Sequence, residues 1–139
     1  MQTFIPYGAN FETNSVVLDN KRLGKQRVEG LQILNTLTGR STGWANHPTV
    51  KMWRGYADAL AQYTLCMCET WTAIGFKDTV ADKVRALGLR TMVADLPDFL
   101  FDEDVMISHR SNLIRKFPEH YGNLWPDVPN DLPYLWPVS

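Results

Sequence analysis

From Pro48 to Gly75 the large apolar residues recur at intervals of three and four: Trp53, Tyr56, Leu60, Tyr63, Met67, Trp71 and Ile74. That spacing keeps one face of an α-helix apolar through about six turns. A strand, whose side chains alternate, would scatter the same residues over both of its faces. Pro48 suits the first turn of such a helix and Gly75 its stop. A second stripe, Leu23, Gly30, Leu31, Leu34 and Leu37, lies on a segment that Asn14 or Ser15 can cap and that runs to about Leu37. Between the two stripes TGRSTGWANHP reads as a loop. Thr79 to Leu87 predicts a short third helix, and Ser108 is placed to cap a final one, HRSNLIRKF, ended by Pro118.

No run in the chain alternates with the period of a strand, so the fold class is all-α. The 139 residues predict one compact domain over 1–139, with two long helices and one or two short ones. The opening residues, MQTFIPYGANFETNS, form an irregular arm broken by Pro6 and Gly8. DLPDFLFDED, residues 95–104, is expected as an acidic loop. Five of the eight prolines fall at or after Pro118, which makes GNLWPDVPNDLPYLWPVS an extended tail whose Trp and Tyr side chains pack on the body. Cys66 and Cys68, two apart, make neither a disulfide framework nor a zinc knuckle and predict free thiols in a reducing compartment. The longest uncharged run in the second helical region, Ala59 to Cys68, is far below the ~20 residues a membrane span needs. The first residues carry no secretory pattern either. The expected location is the cytosol.

The formal net charge of −1 excludes a broadly basic nucleic-acid coat and leaves room for a local basic patch. Such a patch is concentrated in DNKRLGKQRVE, residues 19–29. On a helix, with Arg22 at zero, Gln26 falls at about +40°, Glu29 at about −20° and Lys25 at about −60°. Leu23, Leu31 and Leu34 lie on another face. Two cations and an amide suit a phosphate or a carboxylate. A lone carboxylate among them suits a reaction that builds positive charge or moves a proton. The same pattern also fits a solvated face laced by salt bridges.

Two further segments hold donors. In ISHRSNLIRK, residues 107–116, a cap at Ser108 would place His109, Arg110 and Ser111 at a helix N-terminus, where anions bind, or would serve capping alone. In WANHPTVKMWRG, residues 44–55, His47 precedes a helix start with Lys51 and Arg54 nearby. Cations sit next to aromatics at Trp53-Arg54, at Arg115-Lys116-Phe117 and at His120-Tyr121, a mixture that suits bases and phosphates or a snorkelling rim. The three histidines have no matching Cys or carboxylate spacing, so no metal site is expected. There is no phosphate loop, no GxGxxG and no nucleophile-elbow signature.

The order LDNKRLGKQRVEGLQIL, NHPTVKMWRG, IGFKD, SHRSNLIRK and HYGNLWP resembles, across nearly the whole chain, the pyrimidine dimer DNA glycosylases of the phage endonuclease V type. The resemblance implies a compact all-α fold whose N-terminal segment threads between helices. It implies excision of one base of a UV-induced pyrimidine dimer in double-stranded DNA, followed by strand cutting, without a cofactor. The nucleophile it implies is the α-amino group of the first residue, which attacks the sugar C1′ and forms a Schiff base. An α-amine titrates near 7.7–8.0, about right for such a role at neutral pH.

In that family a Glu in the first helix supports the sugar chemistry and directly follows an Arg. Here Arg22 is followed by Leu23, and helix geometry makes Glu29 the substitute. The family removes its initiator Met before a small second residue; Gln2 is bulky, so Met1 is expected to stay and carry the amine. The expected catalytic set is therefore Met1, Glu29 and Arg22. Lys25, Gln26, His47, Arg54, His109, Arg110 and Lys116 are expected on the DNA, with Tyr121 and Trp125 as the aromatic cluster that meets the damage. A related enzyme acting on another modified base, a nucleotide or an abasic site, and a non-catalytic DNA-binding module, are the alternatives.

Overall fold

The computed structural model describes residues 1–137. Seven α-helices account for its regular structure: α1 (Phe11–Val17), α2 (Asn20–Leu37), α3 (Pro48–Met52), α4 (Ala57–Ala73), α5 (Val80–Arg85), α6 (Glu103–Lys116) and α7 (Pro118–Tyr121), with a 3-10 turn at Asp98–Phe101. No strand occurs among the described residues, so the all-α expectation holds.

Both long predicted helices are broken, each for a local reason. The first stops at Leu18, where the chain extends, and restarts after Asp19. Asp19 is claimed by a residue 102 positions away: its N–H donates to the Tyr121 hydroxyl (2.9 Å), which donates back to its carboxylate. The same carboxylate accepts from Arg22 (3.1 Å), so none of it is left to cap α2. The second break is at Gly55, which takes the left-handed conformation (φ 83°) and turns α3 away from α4. Gly is the residue that does this without a Cβ penalty. The N-terminal cap of α1 is Asn10, accepting from Thr13 N–H, rather than Asn14 or Ser15.

The final helix also differs from expectation. It starts at Glu103, capped by the Asp102 carboxylate on Asp104 N–H (3.0 Å). Asp102, Glu103 and Asp104 of the acidic stretch thus sit at the positive end of α6, where negative charge is stabilising. Ser108 lies mid-helix and buried, its hydroxyl donating to Val105 O (2.8 Å). The predicted anion site at an N-terminus there is overturned.

Helices α2 and α4 pack along their lengths. Leu23, Ile33 and Leu34 meet Leu60, Tyr63 and Met67 in one core, with Leu31 and Leu37 at its edge. They come close at Gly30: a Cβ there would stand 2.3 Å from the Thr64 hydroxyl. The tail lies on α6, held by Leu132 N–H to Ser111 Oγ (3.0 Å), Leu135 N–H to Ser108 Oγ (3.3 Å) and the Asn112 amide to Leu132 O (3.1 Å).

The N-terminal arm runs buried between α2, α4 and α6 with no strand partner. Its backbone is paired instead with side chains. Phe4 N–H donates to Gln26 Oε1 (2.8 Å), Ile5 N–H to His109 Nδ1 (3.0 Å) and Tyr7 N–H to Asn14 Oδ1 (2.7 Å). The carbonyls of Gln2, Phe4 and Pro6 accept from Gln26 Nε2, the Tyr63 hydroxyl and Arg110 Nε (2.8–2.9 Å). Buried peptide groups left unpaired would cost about 1–3 kcal/mol each.

Gly30→Ala gains about 1 kcal/mol of helix propensity but drives α2 and α4 apart, so a net loss of about 1–2 kcal/mol is expected by urea denaturation. Thr64→Ala in the same chain should return most of it, a coupling that separate effects at the two positions would not give.

Candidate active site

A cleft of about 390 Å³ opens where the arm meets α2. Met1, Gln2 and Phe4 come from the arm, Lys21, Arg22, Lys25, Gln26 and Glu29 from α2, His47 from the turn before α3, Lys116 from the end of α6, and Tyr134 and Trp136 from the tail. The α2 residues meet there because their spacing keeps them on one face, as the sequence predicts.

Gln26 is the organising group. It is 2% exposed, and its carboxamide is fully engaged: Oε1 accepts from Phe4 N–H and shares with Phe4 O the one proton of the Tyr63 hydroxyl (2.7 Å), and Nε2 donates to Gln2 O and to Glu29 Oε2 (3.1 Å). An amide has no further capacity of this kind to spend on a phosphate. The sequence places Gln26 on the DNA; in the structure its carboxamide is buried and occupied within the protein. Glu29 Oε2 also accepts Gln2 N–H (3.3 Å), so the carboxylate is tied to the peptide that follows Met1.

His47 accepts Thr49 N–H at Nδ1 (3.1 Å), which leaves the ring proton on Nε2. Burial, then the positive N-terminal amine, hold its pKa below the usual histidine value against the opposing pull of Glu29. The ring is thus neutral at pH 7 and a donor at Nε2. Thr49 in turn donates to Met1 O (3.1 Å), fixing the first peptide from its other side. Arg22 reaches the cleft already paired with Asp19. Lys25 and Lys21 are exposed, and the ion pairs of the described residues include neither of them nor Lys116. Partial burial and the charges of Arg22, Arg115 and Lys25 lower the Lys116 pKa.

The other expected site residues lie elsewhere. His109 is fully buried, its ring edge-on to Phe4 and Tyr134, and burial takes its pKa down to about 3. It has no face for DNA. Arg110 stacks its guanidinium over Tyr7 (4.8 Å) and supports the arm through Pro6 O. Tyr121 and Trp125 stack on each other inside the core (5.7 Å, 7°), Tyr121 serving Asp19 and Trp125 donating to the Tyr7 hydroxyl. Arg54 is exposed, donates to Ala45 O and borders a different cavity, with Asp58 and Leu89. Sequence reasoning missed Lys21, which adjoins Arg22, and Tyr134 and Trp136, whose place depends on where α6 sends the tail.

A family model described as pyrimidine dimer DNA glycosylase matches residues 1–84. The chain belongs to that family. The matched part of this glycosylase-family chain holds the arm, α1 to α4 and most of α5, and with them Met1, Arg22, Lys25, Gln26, Glu29 and His47. Lys116, Tyr134 and Trp136 are contributed from beyond it. Among curated proteins and solved structures none matches. Outside the cleft both cysteines are free thiols, and burial, with the Asp78 charge, pushes Cys68 up to about 12. No helix among the described residues is long and apolar enough to cross a membrane.

The position of His109 sets a pH dependence of stability. Its folded pKa, about 3, lies below the ordinary 6.5, so between those values the unfolded chain binds the extra proton. Stability is then full above about pH 6.5 and is lost as pH falls toward 3, by up to about 1.4 kcal/mol per pH unit from this group. Protonation also removes the lone pair that holds Ile5 N–H. Denaturation midpoints measured from pH 7.5 to 4.5 should fall, and His109→Gln should flatten the slope by one proton.

Proposed function

We propose that this protein is a DNA repair glycosylase with lyase activity, excising a base from a UV-type pyrimidine dimer in duplex DNA through the α-amino group of Met1. The observation that carries the reading is the meeting of Met1, a tethered carboxylate and a group of cations in one cleft. Family membership supplies the substrate class.

In the proposed reaction the amine lone pair attacks C1′ of the damaged nucleotide. The C1′–N1 bond breaks, its electron pair leaves with the base, and a proton completes the departing base. Loss of a proton from the attached nitrogen and cleavage of the C1′–O4′ bond, with O4′ taking up a proton, give the Schiff base; a base then removes the C2′ proton, a C2′–C3′ double bond forms as the C3′–O bond breaks, and the phosphate leaves, which cuts the strand. Glu29 stabilises the positive charge that develops at C1′ and on nitrogen, and can take the amine's proton. Neutral His47, with its proton on Nε2, supplies a donor for the departing base or the ring oxygen. Arg22, Lys25, Lys21 and Lys116 hold the flanking phosphates. Gln26, Thr49 and the Gln2 peptide keep amine and carboxylate in register, the geometric part of the rate.

Borohydride trapping on a duplex with one thymine dimer, beside a duplex with one abasic site, tests the reading. An N-terminal adduct on both, located by mass mapping, is expected. An adduct on the abasic duplex alone would assign lyase chemistry without base excision. Trapping on neither would leave a DNA-binding module. Glu29→Gln should lower the trapping rate about 10²- to 10⁴-fold with affinity changed only a few-fold; unimpaired trapping would remove Glu29 from the chemistry. Lys25→Ala should weaken binding to all duplexes alike and reduce the slope of log K against log salt by about one phosphate contact, read by titration across salt concentrations.

A further inference from the structure

Arg22 enters the cleft with part of its guanidinium already held. Its Nη1 donates to both oxygens of the Asp19 carboxylate (3.2 and 3.1 Å). The hydrogen bonds of the described residues include neither its Nε nor its Nη2. The side chain is 17% exposed, so a mostly buried guanidinium keeps one edge uncommitted. Nε and Nη2 form the planar fork that matches two oxygens of one phosphate. Asp19 is itself fixed. It is 8% exposed; its N–H donates to the Tyr121 hydroxyl (2.9 Å), and that hydroxyl donates back to Oδ1. Tyr121 is fully buried and stacked on Trp125. Burial, and then the bond to Asp19, push the hydroxyl's pKa up, so it keeps the proton it donates.

Two observations set this chain of bonds apart from an ordinary helix start. An aspartate before a helix commonly caps it, yet the Asp19 side chain caps nothing in α2. Its carboxylate is given to a core hydroxyl on one side and to a cleft cation on the other. The second observation is crowding. Burial, and then the charge of Arg22 ahead of those of Arg115 and Lys25, lower the Lys116 pKa, so Arg22, Lys25 and Lys116 share one corner of the cleft. Glu29 is tied to the Gln2 peptide and to Gln26, and Asp19 meets Nη1 of Arg22. A long cation left loose would swing away from like charges and would lose that freedom again on binding. An anchored one has lost it beforehand, which favours the bound state.

Resting on the glycosylase reading above, we infer that Tyr121 and Asp19 are positioning residues for DNA: the Tyr121 hydroxyl fixes Asp19, Asp19 fixes Nη1 of Arg22, and the open Nε–Nη2 edge receives both free oxygens of one phosphate, with Lys116 beside it. Neither positioning residue touches DNA. Tyr121 lies beyond residues 1–84, so the later part of the chain sets how firmly the family-matched part grips its substrate.

A double-mutant cycle on binding reads the coupling. The ligand is a duplex with one tetrahydrofuran abasic site, which forms no Schiff base, titrated at fixed salt. Tyr121→Phe keeps the ring and removes the hydroxyl; it is expected to weaken binding about tenfold, the order of one charge-assisted hydrogen bond. In an Arg22→Ala chain the same change should cost less than about twofold, because no guanidinium is left to position. Equal losses in the two backgrounds, or none in either, would overturn the inference. Arg22→Lys answers even where loss of the buried hydroxyl unfolds the protein. A lysine has a single head and no second edge once Asp19 holds it, so it should bind within about threefold of Arg22→Ala; wild-type affinity would overturn the inference. The same cycle on an undamaged duplex at low salt stands apart from the chemistry. If the wild-type protein neither excises nor traps but the coupling is found there, the glycosylase reading fails and the phosphate clamp stands. A wild-type protein that binds no duplex removes both.

Discussion

The structure depends on the pairing of a buried, extended arm with side chains. An arm of this kind brings peptide N–H and C=O groups into the core without the ladder a strand would provide, and each must find a partner. Gln26, Tyr63, His109, Arg110 and Asn14 supply them from four helices. The pairing fixes both the height and the register of the arm. It thereby decides which backbone nitrogen stands beside Glu29. A slip of one residue along the arm would break every one of these bonds together, so the register is strongly held.

The sequence showed the helical faces well and the helix ends poorly. The stripe from Trp53 to Met67 and the polar face of DNKRLGKQRVE both follow from local spacing, and both are found as expected. The breaks depend on distant partners. Nothing near Asp19 says that Tyr121 will hold its N–H, and a reading by propensity runs a helix straight through it. Gly55 was visible as a residue, but a glycine is a stop only where the chain turns left-handed, and that is set by packing. Ser108 looked like a cap because Ser is a frequent one; Asp102, six residues earlier, had the better position with two further acids behind it.

The site divides along the same line. Residues brought together by one helix face were legible: Arg22, Lys25, Gln26 and Glu29 do share a cleft. Their roles were less so. Gln26 reads as a ligand for phosphate until its four hydrogen bonds are known. His109, Arg110, Tyr121 and Trp125 resembled site residues because cations and aromatics also build cores, where a ring stack or a guanidinium over a tyrosine is structural. Tyr134 and Trp136 gave no local signal, since a proline-rich tail can be laid in many directions and Ser108, Ser111, Asn112 and Arg115 select this one.

The docking of the tail has a consequence for the order of synthesis. Met1 leaves the ribosome long before Trp136, yet the two line the same cleft. The arm, α2 and α4 can assemble early, so the amine and Glu29 can meet on a nascent chain. Lys116, Tyr134 and Trp136 arrive only later, with the end of α6 and the tail. Synthesis of the tail therefore acts as a late assembly step, and the cleft around the first residue is lined in full only after α6 and the tail have been made.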